Sequence, residues 1–114
     1  MKSRPEVLDG RVWKIETGCG NMYVTLTHDQ DGLFEAFASL GKAGQCGSAQ
    51  IESICRMISM TLRSGVDISQ IVKQLRGIRC PNIKLNNGLT VLSCADAIAK
   101  IIEREIMQYW TKKE

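Results

Sequence analysis

From Arg11 to Leu40 apolar residues alternate with polar ones, and beyond Ser48 they return every three or four positions instead. Arg11 to Thr17 sets Trp13 and Ile15 against Val12, Lys14 and Glu16. Met22 to Thr27 sets Met22, Val24 and Leu26 against Tyr23, Thr25 and Thr27, and Leu33 to Leu40 keeps Phe34, Ala36, Ala38 and Leu40 in phase. A period of two is the mark of half-buried strands. Gly18-Cys19-Gly20-Asn21 and His28-Asp29-Gln30-Asp31-Gly32 separate the three runs with turn-forming residues. The pattern predicts a three-stranded antiparallel meander with one apolar face that needs a cover.

Helices are expected to supply it. From Ser48 to Arg63, Ile51, Ile54, Cys55, Ile58 and Leu62 form an i, i+3, i+4, i+7 stripe, and Ser64-Gly65 ends the helix. Asp67 is placed to cap a shorter helix with Ile68, Ile71, Val72 and Leu75 on its apolar side, closed by Gly77. Residues 78 to 92 carry Pro81 and Asn86-Asn87-Gly88 and read as an ordered loop, with a short strand at Leu89 to Leu92. Ser93 and Asp96 make a near capping box for a long helix to about Lys112, with Ile98, Ile101, Ile102, Ile106 and Tyr109 in its stripe. The order β-β-β-α-α-loop-α predicts an α+β domain: a three- to four-stranded antiparallel sheet with three helices on one face. Residues 1 to 10 read as a leader that need not be ordered, and 11 to 114 as a single domain.

Composition narrows the class without changing the fold. At 114 residues there is room for one core, and 44% hydrophobic with 24% charged residues is ordinary for a soluble globular protein. A net charge of +3 is too mild to argue for wrapping DNA. The longest apolar runs are far shorter than a membrane span, and Met-Lys-Ser-Arg-Pro-Glu lacks a signal peptide's apolar stretch. A cytoplasmic protein with no membrane partner is expected. Five cysteines, none in a C-x-x-C pair, fit a reducing compartment. Cys19, Cys46, Cys80 and Cys94 fall in turns or at element ends and are candidates for zinc, or else small packed thiols; Cys55 falls on a helix's apolar side.

Candidate chemistry lies in the loops. Leu40 to Ser48 reads Leu-Gly-Lys-Ala-Gly-Gln-Cys-Gly-Ser, a glycine-rich segment bearing Lys42 that leaves a strand and opens a helix. Such a segment presents backbone N–H groups to an anion, or serves only as a tight turn; its spacing meets no standard nucleotide fingerprint. Arg76 and Arg79 surround a helix end, and Lys84 and the Asn86-Asn87-Gly88 turn follow. Guanidinium forks bind phosphate bidentately, and amides read ribose hydroxyls or base edges. On the first helix Arg56 and Arg63 lie off the apolar stripe, and Met57, Met60 and Ser53 form a second side suited to self-association. On the last helix Lys100, Glu103 and Arg104 avoid the stripe and are expected to face outward. The single histidine, His28, sits in an acidic turn and reads as a solvated hairpin residue. With one histidine and no standout carboxylate pair, binding is expected rather than catalysis.

Four blocks in order then carry a resemblance: Thr17-Gly18-Cys19-Gly20 with Tyr23-Val24-Thr25; Leu40 to Gly44; Gly77-Ile78-Arg79-Cys80-Pro81; and Leu92-Ser93-Cys94-Ala95-Asp96-Ala97-Ile98-Ala99-Lys100. From about Arg11 to Glu105 the chain resembles the TSCPD domain, which occurs near the C-terminus of adenosylcobalamin-dependent ribonucleotide reductases. Leu92 and Ala95 stand where the signature has Thr and Pro, while Ser93, Cys94 and Asp96 hold. Nothing in the chain corresponds to the reductase barrel, the cobalamin site or the cysteine-rich redox tail, so no reductase activity and no cofactor are implied.

Small stand-alone proteins of this kind are also similar to phage anti-Thoeris sponges. That resemblance implies non-enzymatic sequestration of cyclic ADP-ribose isomers, and of cyclic di- or trinucleotides, in pockets between subunits of a homo-oligomer. A dimer or a dimer-based hexamer in the host cytoplasm is the expected form. The ligand contacts it implies are Asn87 and Arg104 first, then Arg79, Lys84, Arg56 and Lys42, chosen on charge and expected exposure. The alternative is an accessory or regulatory domain acting with a separate reductase chain, and a zinc-dependent module on the four loop cysteines is a third reading.

Overall fold

A computed structural model describes residues 1–41, 45–86 and 88–110, the side chains of residues 45, 46, 86, 109 and 110 excepted. The alternating runs form β1 (Asp9–Thr17), β2 (Gly20–Asp29) and β3 (Gly32–Leu40), an antiparallel meander in the order β1-β2-β3. Register places Ile15 opposite Met22, Trp13 opposite Val24, and Ala36 opposite Leu26, so one face carries the apolar set. Opposed residues share a face, and an antiparallel sheet buries one face while the other meets solvent. Met22, Val24 and Leu26 are accordingly buried, whereas Val12, Tyr23 and Phe37 on the other face are exposed.

The helical cover follows as α1 (Gln45–Arg63), α2 (Ile68–Leu75) and α3 (Cys94–Glu105). α1 lies against β3, where the Ser59 hydroxyl donates to Ala36 O at 3.2 Å and accepts the Ala36 N–H at 3.0 Å. Its end is a Schellman turn: Gly65 takes φ +87°, Gly65 N bonds Leu62 O and Val66 N bonds Thr61 O. Asp67 caps α2 by accepting Ser69 N at 2.9 Å. α3 is the central element, with Ala97, Ile98, Ala99, Ile101 and Ile102 fully buried against the sheet. Each buried isoleucine contributes about 2 kcal/mol of transfer free energy.

Of the three or four strands expected, the sheet has three: the strand expected at Leu89 to Leu92 is β5 (Leu89–Val91), which pairs with β4 (Lys84–Asn86) in a separate hairpin. Three expectations change. α3 stops at Glu105, and a π-helical turn over Ile106–Trp110 takes the chain on; residues 111 and 112 of the expected helix lie outside the described residues. Lys100 does not face outward. Its ammonium is drawn inward to Asp96 at 2.6 Å and to the Thr90 carbonyl. Arg63 is likewise engaged, donating to Lys2 O and lying over the Phe34 ring.

His28 is the third change. The Asp29 carboxylate accepts Asp31 N at 2.9 Å and Gly32 N at 3.1 Å, which closes the turn over two residues and leaves His28 inside β2. A bulge between Thr27 and His28 follows, with β3 partners jumping from Glu35 to Leu33 past Phe34. His28 is thereby buried, its Nε2 3.4 Å from Glu105 Oε2. The first eight residues form no strand or helix. Lys2 pairs with Asp29 and Asp31, its N–H bonds Arg63 O, and Arg4 pairs with Glu35 at 2.8 Å.

Candidate functional site

At the β1–β2 turn the chain builds an open polar pocket of about 470 Å³. Glu16, Asn21, Tyr23 and Lys84 line it together with Thr17, Gly20 and Gly41. The Thr17 hydroxyl donates to Gly20 O at 2.8 Å and accepts Cys19 N at 3.1 Å, which fixes the two-residue turn. Lys84 arrives because the segment before β4 lies directly on that turn. A Cβ at Gly18 would fall 1.8 Å from Asn82 O, so only glycine permits the approach. The residues that line the pocket thus include a tyrosine, a lysine, a glutamate and an asparagine. Those groups can stack a base, pair with phosphate and hydrogen-bond hydroxyls.

The candidate contacts among the described residues do not converge. Lys84 lines this pocket, and Lys42 follows Gly41 in the chain but lies outside the described residues, as does Asn87. Arg56 lines a different cavity, a groove of about 700 Å³ between α1 and β3, and is within 3.7 Å of Glu52. Arg79 and Arg104 are exposed and line neither. Sequence reasoning did not single out Tyr23, Asn21 or Glu16 for the site. The available signal was the alternation of β2, which put an aromatic ring on the solvent side of the sheet.

A second polar group lies inside the fold. Glu105, fully buried on α3, meets Arg11 Nε at 3.1 Å, Trp13 Nε1 at 3.3 Å and His28 Nε2 at 3.4 Å. Arg11 also stacks over the Trp13 ring and donates to Gln108. None of these residues lines the two cavities above. The cluster ties β1, β2 and the end of α3 together.

Three of the four loop cysteines share a corner. Cys94, the first residue of α3, has its thiol pushed up by burial and by the neighbouring Cys19 and Cys80, with Thr17 pulling the other way. The side chain of Cys46 lies outside the described residues. Among the described residues no group of three or more His, Cys, Asp or Glu is arranged to hold a metal ion. Cys55 is a packed thiol, raised by burial to about 11.

The family model described as TSCPD domain matches residues 1–106. The chain belongs to the TSCPD domain family. No curated protein and no solved structure matches it. The family's signature positions have a structural office here. Ser93 accepts Asp96 N at 3.0 Å as the cap of α3. The Asp96 carboxylate accepts Gly77 N at 2.9 Å and Leu92 N at 3.0 Å, besides the Lys100 ammonium. Burial opposes ionisation of Asp96, but these donors outweigh it and hold its carboxyl below the usual range. The TSCPD signature is thus a latch that joins the end of α2, the end of β5 and the start of α3. Among the described residues no helix is long and apolar enough to cross a membrane.

Proposed function

We propose that this TSCPD-domain protein binds a cyclic nucleotide without cleaving it and so sequesters a signal made by bacterial immune enzymes. The observation that carries the reading is the polar pocket in which Tyr23 and Lys84 meet beside Gly41. Its volume of about 470 Å³ suits a ligand of nucleotide size. Lys42 follows Gly41 directly in the sequence, within the glycine-rich segment Leu40 to Ser48. Asn87, Arg104, Arg79 and Arg56 are the further contacts of this reading, supplied from a second subunit wherever they lie away from the pocket. A homo-oligomer, a dimer or a dimer-based hexamer, belongs to the same reading. The exposed Met57 and Met60 on α1 support it.

Calorimetry with cyclic ADP-ribose isomers and cyclic di- and trinucleotides tests it. Micromolar or tighter binding is expected, weakened about tenfold or more in Lys84→Ala through loss of a charged hydrogen bond. The ligand must return chemically intact from the denatured complex. Absence of binding at micromolar protein ends the reading, and a hydrolysed product makes the protein an enzyme.

Membership of the family favours a second reading, an accessory domain acting with a separate ribonucleotide reductase chain. Co-purification with such a chain, and no nucleotide binding, is the outcome that would replace the first reading by this one.

A further inference from the structure

Three cysteines from distant parts of the chain meet at the corner where the β1–β2 turn touches the start of α3. Gly18 lies against Asn82 with no room for a Cβ. Beside that contact the Asn82 amide donates to Cys19 Sγ at 4.0 Å, and Cys80 Sγ donates to Asn82 O at 3.5 Å. Cys80 N in turn bonds Leu92 O at 2.9 Å, two residues before Cys94. The Cys94 side chain hydrogen-bonds to Cys19 and to Thr17. Cys19 is exposed, whereas Cys80 and Cys94 are half-buried. Among the described residues these sulfurs belong to no group that could hold a metal ion, which leaves the chemistry of thiol pairs.

We propose that Cys19 and Cys94 are a reversible oxidation site that closes to a disulfide when the protein meets a hydroperoxide. Exposure assigns the roles. Cys19, which solvent reaches, is oxidised first. Its thiolate sulfur takes an oxygen from hydrogen peroxide, the O–O bond breaks, and the departing hydroxide picks up a proton to become water. Cys94 then attacks the Cys19 sulfur; the S–S bond forms, the S–O bond breaks, and hydroxide leaves with the Cys94 proton as a second water. Two thiols have lost two electrons and two protons, and one peroxide has become two waters. A dithiol reductant reopens the bridge by exchange, as it does for exposed disulfides in general. The contact already made between the two side chains sets this pair apart from Cys80, which faces Asn82 O, and from Cys55, packed in the core. The bridge closes a loop of about 75 residues. It ties the turn between Thr17 and Gly20, both at the polar pocket, to the first residue of α3. It does not depend on nucleotide binding.

The test treats the full chain with an equimolar amount of hydrogen peroxide, blocks free thiols with N-ethylmaleimide, and digests with trypsin without reduction. Cys19, Cys80 and Cys94 fall in separate tryptic peptides, 15–42, 80–84 and 85–100, and Cys46 falls with Cys55 in 43–56. Mass spectrometry should find peptide 15–42 joined to 85–100, the link opening in dithiothreitol and still forming in Cys80→Ser. Cys94→Ser should leave Cys19 as a sulfenic acid, read as a dimedone adduct on peptide 15–42. The oxidised chain should melt about 5 °C or more above the reduced one, because the closed loop is long. A bridge from peptide 80–84 or 43–56 in place of this one, a bridge between two chains, or maleimide on both Cys19 and Cys94 overturns the proposal. So does an oxidised chain that melts no higher than the reduced one, since the native fold would then not accommodate the bridge.

Discussion

Asp96 shows how much one side chain settles. Its carboxylate accepts from two backbone N–H groups and one ammonium while itself fully buried. Replacing an oxygen with an amide turns an acceptor into a donor that faces Gly77 N at one position, or Leu92 N and Lys100 together at the other, and leaves the ammonium without its counter-charge. Breaking a buried pair in this way costs about 3 kcal/mol or more. Asp96→Asn is therefore expected to lower the melting temperature by roughly 10 °C in calorimetry. A shift under 2 °C would show that the latch contributes little. The sequence made Asp96 visible as a near capping residue and a position of the family signature, but not as a latch. The Ser93 hydroxyl does accept Asp96 N, as a cap should, but the carboxylate turns to Leu92 and Gly77 instead of back to Ser93 N. Gly77 is nineteen positions away, and no local pattern announces such a partner.

Elements were legible where periodicity was long. β1, β2, β3, α1 and α2 fall within three residues of their expected bounds, because alternation and the three-four stripe each run for several turns or pleats. β4 was missed for the opposite reason. It has three residues, its one apolar side chain, Leu85, is exposed, and nothing alternates. The end of α3 was misread because Ile106 continues the apolar stripe, whereas the backbone widens into a π-turn at that residue. Between elements, one hydroxyl adds two hydrogen bonds to the apolar packing of α1 on β3. Ser59 satisfies both backbone groups of Ala36, a residue that is buried. Ser59→Ala would strand an N–H and a C=O on the sheet edge, at a cost of about 1–3 kcal/mol. Hydrogen exchange should then accelerate at Ala36 and along the facing turns of α1, with β1 and β2 unchanged. Uniform acceleration throughout the domain would instead mark a global loss of stability.

At the scale of the whole molecule, the site and the buried charges both come from residues far apart in the chain. The pocket draws on residues 16–23, 41 and 84, and the inner cluster on Arg11, Trp13, His28 and Glu105. A sequence shows which residues carry charge but not which of them the fold gathers, so Lys84 reached a pocket while Arg79 and Arg104 remained apart from it. The acid response of the domain follows from the same gathering. The Asp96 carboxyl is held below the usual range, where burial alone would raise it, by the donors from Gly77, Leu92 and Lys100. In the unfolded chain an aspartate titrates near 3.9. The unfolded state thus binds the proton first as pH falls. The stability that Asp96 contributes is complete above about pH 5 and drains away as pH drops through the lower folded value, by at most about 1.4 kcal/mol per pH unit for one proton. Asp29 and Asp67 are shifted the same way, the first by Lys2 and turn N–H groups against burial, the second by Ser69. Urea unfolding at pH 7, 5, 4 and 3 should accordingly give a plateau down to pH 5 and a fall below 4. Asp96→Asn, which cannot titrate, should lie below the unsubstituted protein on the plateau and approach it at pH 3. Parallel curves at all four pH values would show that Asp96 does not carry the acid limb.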